Sequence, residues 1–375
     1  MTKDIRKYDF IDALRGYAIL GVVAVHSSSF IAPDNAYLQL LMSSGWLGVQ
    51  LFYIASALTL CMSWEARRFD EIAPVRNFYI RRFFRIAPMF YIAIAYYMYH
   101  HGLASSGNTS SGIEWWIIAL TASFLHGFNP QAINAVVPGG WSVAVEMNFY
   151  LLLPFVLMHF NSVRSLILFF LISLGLYALS KPIIWWLFEA HYSSVQQNLV
   201  SDFYYMNFFG QLPVFAIGLL TYAAFHNVKN MRRFIFFGVP VLIGFILVVK
   251  LLHIAWLAVI FPNYIIMAFC FAFFALALSY YQSAILVNKV VIFLGKVSFS
   301  LYLTHYAVLM LFAKLGSKTV FKTGDVSSIM HFLCVVLVAS SVSYLFYITI
   351  ERQGIVMGKR LIDRLEKNSP ALPAN

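Results

Sequence analysis

Ten separate stretches of this 375-residue chain stay apolar long enough to cross the roughly 30 Å hydrocarbon core of a bilayer. They lie near residues 16–34, 45–64, 86–101, 141–160, 166–188, 208–226, 234–252, 256–281, 290–315 and 329–350. Backbone in hydrocarbon must satisfy its own amides and carbonyls, which commits each stretch to helix. The chain is 61% hydrophobic and only 11% charged, too apolar for a water-soluble domain. The fold class that follows is all-α: a polytopic membrane helical bundle of about ten transmembrane helices over 1–350, with a basic cytoplasmic tail over 351–375.

An eleventh apolar run, 113–128, is short. If it crosses, the two termini lie on opposite sides of the membrane; if it dips and returns, they share a side. Charge decides between the two. With ten spans, the inside receives Lys3, Arg6, Lys7, Arg15, the bases from Arg67 to Arg85, Arg164, Lys229, Arg232, Arg233, Lys289, Lys296 and the tail residues Arg352, Lys359, Arg360, Arg364 and Lys367. Only Lys181, Lys250, Lys314, Lys318 and Lys322 fall in or beside the outer half, a strong positive-inside bias. The run 113–128 is therefore expected to be re-entrant, with both termini cytoplasmic.

The same distribution accounts for the net charge of +11 without nucleic acid, because the bases sit in short loops and no basic domain stands apart. The start, MTKDIRKYDFIDALRG, mixes acids with bases and runs into the first apolar stretch without a small-residue cleavage site, so it reads as a retained helix rather than a signal peptide. Cys61, Cys270 and Cys334 all lie in apolar runs and form neither a disulfide framework nor a metal-type spacing. Segments 102–112 and 189–207 read as outer loops, and the tail as a short basic amphipathic helix on the inner leaflet.

Four polar constellations interrupt this apolar background. Arg15 and His26 are eleven residues apart, which returns them to within about 20° on one helix face and about 16 Å along the axis. An ionisable group deep in a membrane helix is costly and marks a functional position, though Arg15 also suits a topology anchor. In RNFYIRRFFRIAP, residues 76–88, Arg81, Arg82 and Arg85 gather on one flank at the inner boundary. They suit a polyanion such as coenzyme A, and equally lipid headgroups.

PGGWSVAVEMNFY, residues 138–150, places Ser142, Glu146 and Tyr150 on one face, with Trp141 alongside, and carries a carboxylate about a turn and a half into the membrane. That carboxylate calls for a histidine, an arginine or a sugar hydroxyl. In GKVSFSLYLTHY, residues 295–306, Ser298, Tyr302 and His305 share an arc of about 60°, a stripe that serves helix packing as well as chemistry. The other histidines, among them His126 and His331, lie near predicted span ends or in loops, and interfacial placement explains most of them.

Together and in this order, these four segments resemble acyltransferase family 3 of integral membrane proteins, over nearly the whole chain. The resemblance implies ten helices with both ends inside a bacterial cytoplasmic (inner) membrane. It implies transfer of an acyl group, usually acetyl, from cytoplasmic acetyl-CoA as co-substrate to a hydroxyl of a surface glycan or its lipid-linked precursor. No metal is expected. Carried over residue by residue, His26, Glu146, Arg15, Tyr302 and His305 are catalytic, Arg81, Arg82 and Arg85 hold the coenzyme phosphates, and Trp141, Ser142, Tyr150 and Ser298 line the acceptor.

His26 then acts as general base on the acceptor or is itself acylated, with Tyr302 and His305 as donors to the oxyanion. The chain departs from the family pattern where Met147 and Asn148 follow Glu146, so a mechanism needing two adjacent carboxylates is not carried over. Many relatives append an extracytoplasmic hydrolase-like domain, and this chain closes soon after its last span. The competing class is a transporter or flippase of glycolipid intermediates, since intramembrane Arg, His and Glu also line such pathways; it lacks a visible inverted repeat.

Overall fold

The computed structural model describes residues 8–102, 112–189, 192, 197–251, 262–281 and 283–368, and every regular element among them is helical. Helix α1 (Asp9–Phe30) carries Asp9 and Asp12 in its first turn, where carboxylates meet the positive end of the helix dipole. Helix α2 (Ala36–Ser43) starts under Asn35, whose side chain accepts from the amides of Tyr37 and Leu38. A 3₁₀ turn, Ser44–Leu47, leads into α3 (Gly48–Glu65). Helix α4 (Pro74–His101) begins on a proline, whose missing N–H costs nothing there.

Helix α5 (Trp115–Ala122) has eight residues, about 12 Å, and cannot cross the bilayer. It ends in a tight turn that holds Phe124 at φ 61°. Then come α6 (Gly140–His159), α7 (Val163–Ile184), α8 (Gln197–Met206), α9 (Phe208–Asn227), α10 (Met231–Leu251) and α11 (Asn263–Tyr281). Helix α12 (Lys289–Lys296) meets α13 (Ser298–Lys314) at an 81° bend. The short α14 (Ser317–Val320) precedes α15 (Asp325–Phe346), which passes through a π-turn into α16 (Arg352–Lys367).

The molecule is thus a helical membrane bundle. Among the described residues seven helical stretches are long and apolar enough to span, and the bent pair α12–α13 makes an eighth. The expected ten is not reached by that test. The two expected runs outside that count are 86–101, which belongs to a longer helix, α4, whose arginines, tyrosines and closing histidines dilute its apolarity, and 234–252, which falls on α10 and runs past the described residues.

The described chain divides into two compact units. One comprises 8–59 and 221–348. Its centre is α1, which approaches its neighbours backbone to backbone. A Cβ on Gly16 would overlap the Val291 carbonyl, and one on Gly295 the carbonyl of Asp12, so α1 and α12 meet only because both positions are bare. Polar bridges tie the rest. Ser27 of α1 hydrogen-bonds His331 Nδ1 of α15 at 2.8 Å, and Thr304 of α13 hydrogen-bonds Ser343 of α15 at 2.7 Å.

The other unit comprises 60–220 and 349–368. Phe149 of α6 stacks on Phe215 of α9 with ring centroids 3.9 Å apart, and the Tyr79 hydroxyl of α4 donates to the Leu151 carbonyl at 2.9 Å. Helix α16 buries Gly354, Gly358 and Ile362 on one side and exposes Arg352, Lys359, Arg360 and Arg364 on the other. Its two glycines let it settle against Phe84 of α4. Glu366 fixes its far end, accepting from Asn77 Nδ2 at 2.6 Å and from the Ile72 amide at 3.1 Å.

Candidate functional site

In the first unit α1 and α13 bring three rings together. The Tyr306 hydroxyl lies 2.8 Å from His26 Nε2 and 3.2 Å from Nδ1, with the ring centroids 4.5 Å apart. His305 sits behind them, its ring centroid 4.3 Å from that of Tyr306 and 5.4 Å from that of His26. His26 and Tyr306 are half-buried and reachable; His305 is fully buried.

The backbone settles the tautomer of His305. Its Nδ1 lies 3.2 Å from the Leu301 carbonyl, one turn back, and an imidazole nitrogen facing a carbonyl must carry the hydrogen. Nε2 of the neutral ring is then a bare lone pair, and no described residue donates to it. A buried acceptor without a donor is costly unless a ligand or water serves it. In this tautomer His305 presents an acceptor, not a donor, at Nε2.

Tyr302 packs beside this group, 5.8 Å from the His305 ring and edge-on to Phe52 at 6.2 Å. Ser298 is buried at the first turn of α13, seven residues before His305, about 10 Å along the axis. Arg15 is similarly remote from His26. Its guanidinium donates to Thr59 Oγ1 at 2.8 Å and pairs with Asp12 at 3.5 Å. Thr59 in turn is held by the Ala55 carbonyl, so the arginine is anchored in place near the start of α1.

In the second unit the two remaining constellations meet. Tyr150 donates to Glu146 Oε1 at 2.6 Å, the one-turn partner that the spacing allows. The Arg82 guanidinium lies 6.0 Å from the Tyr150 ring centroid and 5.7 Å from that of Phe78. A cation over two aromatic faces is held without being neutralised. The arginines around it differ. Arg81 grips Glu71 through both terminal nitrogens, and Arg85 lies 3.7 Å from the fully buried Glu351. Arg82 has no carboxylate within 4 Å among the described residues, and its Nε finds no acceptor. Arg67, past the end of α3, is pushed below the ordinary arginine range by burial and by Arg81, with Glu71 pulling it back.

Ser142 turns back onto the Gly139 carbonyl at 3.1 Å, while Trp141 packs on Tyr205 with centroids 5.2 Å apart. His126 is buried, stacked on Phe90 and 3.0 Å from the Gly140 carbonyl. His331 is likewise buried, in its bond to Ser27. The residue that sequence reasoning missed is Tyr306. It lies 100° around α13 from His305, at the margin of the stripe drawn through Ser298, Tyr302 and His305, and only the docking of α1 shows that this margin faces His26. Among the described residues no group of three or more His, Cys, Asp or Glu side chains is placed to hold a metal ion.

No solved structure matches the chain. Curated relatives do. The peptidoglycan O-acetyltransferase OatA of Listeria monocytogenes is 29% identical over 195 residues, covering 47% of this chain and 29% of the relative. The O-acetyltransferase OatA of Staphylococcus aureus strain NCTC 8325 is 27% identical over 183 residues, covering 44% of this chain and 28% of its own length. The chain thus spans less than a third of the curated relatives it matches. The profile of the Acyltransferase domain family matches residues 8–348, from α1 through α15, and with that coverage the chain belongs to acyltransferase family 3.

Proposed function

We propose that this protein is an acetyl-CoA-dependent O-acetyltransferase of a bacterial cytoplasmic membrane, acting on a hydroxyl of a cell-surface glycan or its lipid-linked precursor. The observation that carries the reading is the His26–Tyr306 hydrogen bond beside the bare Nε2 of His305, an arrangement suited to taking a proton from an alcohol. Membership of the family and the acetyltransferase activity for which the relatives are named support acetyl as the group moved.

In this reading His26 is the general base for direct transfer and His305 Nε2 receives the acceptor hydroxyl. Tyr302 borders the acceptor. Phosphates of the donor fall to the arginines at the start of α4. Arg82 leads because its charge is not offset by a carboxylate, while Arg81 and Arg85 are shaped by Glu71 and Glu351. Glu146, which accepts from Tyr150 at one carboxylate oxygen, orients a sugar hydroxyl, with Trp141 and Ser142 one turn earlier. Arg15 and Ser298 support the helix ends that hold these groups.

Purified protein in lipid, given labelled acetyl-CoA and an acceptor glycan, is expected to release free CoA and form a base-labile acetyl ester. His26→Ala is expected to lose this activity by a factor of at least about 10² while inserting normally. Wild-type turnover in that variant removes the mechanism. A protein that moves glycolipid across vesicles without cleaving the thioester would favour the transporter class.

A further inference from the structure

We propose that the acceptor is lipid-linked and that its prenyl chain lodges in an apolar cavity of the second unit, an inference that rests on the acetyltransferase reading above. The cavity, of about 260 Å³, lies between the later half of α7, the π-turn Trp185–Glu189 that follows it, α8 and the start of α9. Phe128, Phe188, Phe203 and Phe209 bring phenyl rings to its wall. Among the described residues that line it, only Ser180 and Asn207 are polar, and both are already served. Ser180 donates to the Tyr177 carbonyl at 2.7 Å; Asn207 donates to the Phe203 carbonyl at 2.7 Å and accepts from the Gly210 amide at 2.9 Å. A ligand finds nothing there to hydrogen-bond, so what gains by entering is hydrocarbon.

The way in is from the bilayer. Leu179, Ile183 and Leu187, on the rim, are 61%, 53% and 47% exposed, and on a spanning helix that exposure is to lipid. Trp185 and Trp186, both exposed, mark the headgroup level, so the mouth opens just beneath it. Charge distribution makes this the outer side, where a finished or growing glycan is met.

Phospholipid tails are hydrocarbon too, and the surroundings of the cavity favour a prenyl chain over them. Such a chain is flat at each double bond and branched at regular intervals, a thick ribbon that fits between phenyl walls, whereas a straight tail needs only a shallow groove. The cavity also adjoins the turn proposed to line the acceptor. Asn207 stands two residues after Tyr205, which packs on Trp141 with centroids 5.2 Å apart. Asn134 accepts from the Trp141 amide at 3.4 Å and donates to Met206 Sδ at 3.3 Å, a second link between that turn and the end of α8. Lys181, next to Ser180, gives this stretch of α7 a cation suited to a lipid phosphate, its ammonium 4.6 Å from the Tyr177 ring centroid. A prenyl phosphate held by its chain thus carries its sugar to Trp141 and Ser142, and a phospholipid has no sugar hydroxyl to bring.

The test has two arms. In the first, the full-length protein in lipid nanodiscs is photolabelled with undecaprenyl phosphate carrying a diazirine on its chain. Label is expected on peptides of α7 and α8, displaced by excess plain undecaprenyl phosphate and not by excess phosphatidic acid, which offers the same phosphate on straight tails. Ser180→Phe, which fills the cavity, and Ile183→Trp, which narrows its mouth from the lipid side, are each expected to lower labelling about tenfold, the loss of about two buried methylenes. Acetyl-CoA affinity and the melting midpoint are expected to stay at wild-type values in Ile183→Trp.

In the second arm, membranes of the producing cell, deleted for this gene and complemented with wild type or either variant, are pulsed with labelled acetyl-CoA. Acetyl ester is expected first in the organic-solvent extract and only later in polymer, at a rate about tenfold lower in the variants. Displacement by phosphatidic acid as effective as by the prenyl lipid overturns the proposal, because the cavity then holds ordinary bilayer lipid. Label absent from α7 and α8, variants within twofold of wild type, or ester entering polymer with no extractable precursor overturn it as well. If wild-type membranes form no ester beyond the deletion strain, the acetyltransferase reading fails, and the photolabelling, which uses no acetyl-CoA, still decides what the cavity binds.

Discussion

At the level of single residues, two neighbouring arginines are expected to separate the proposed donor binding from folding. Arg81 is locked in a two-point pair with Glu71, and removing it strands a half-buried carboxylate. Arg81→Gln is therefore expected to lower the unfolding midpoint in detergent, an effect of about 1–3 kcal/mol, with little change in acetyl-CoA affinity. Arg82→Gln is expected to do the reverse, raising the dissociation constant for acetyl-CoA about tenfold, and Arg82→Lys should restore only part of it because an ammonium lacks the planar face that lies over Phe78 and Tyr150. Isothermal titration and thermal melts of both variants check the pair; equal effects on both quantities would refute the division.

The residue scale also shows how far sequence spacing reaches. The one-turn arithmetic for Glu146 and Tyr150 describes a contact inside one helix, and the bond is there. Ser142 obeys the same arithmetic yet closes on its own helix start. Tyr306 and His331 find partners on another helix, Tyr306 with His26 and His331 with Ser27, and periodicity within one helix carries no information about which flank a second helix will cover. Ser27→Ala leaves the buried Nδ1 of His331 unserved and is expected to cost about 1–3 kcal/mol in a detergent melt, where a surface histidine would cost nothing.

At the scale of elements, glycine placement decides which helices can touch. Gly16 and Gly295 permit α1 and α12 to meet at their backbones, and a side chain at either drives into a carbonyl. Gly295→Leu is expected to destabilise by about 1–3 kcal/mol or more and to lower activity, since α1 carries His26. An unchanged melting midpoint would show that the two helices are not in register as described. The apolar run at 290–315 gave no hint of the corner between α12 and α13, because hydropathy records what a segment dissolves in and not whether its axis is straight. The length of the run at 113–128, by contrast, leaves crossing and re-entry open in the sequence, where only charge argues for re-entry; the helix within it, α5, has eight residues.

For the whole molecule, the bundle class follows from composition and run length alone, whereas the division of the chain into two units, one gathering 8–59 with 221–348, depends on tertiary packing that no linear pattern encodes. Orientation remains a property of charge. Alkaline phosphatase fused after Asn134 is expected to be active, and fused after Lys229 inactive, as the clustering of bases in alternate loops requires; the opposite pattern would invert the assignment of donor and acceptor sides.

The corner at Val297 has one more effect. Helix α13, with 17 residues, reaches about 26 Å, a few ångströms short of ordinary hydrocarbon thickness. Local thinning of the bilayer or snorkelling of flanking side chains accommodates a helix of that length, and Tyr306 and His305 ride on it. Reconstituted in a series of lipids of graded chain length, the protein is expected to carry out the proposed transfer fastest in the thinner membranes and to slow as the tails lengthen.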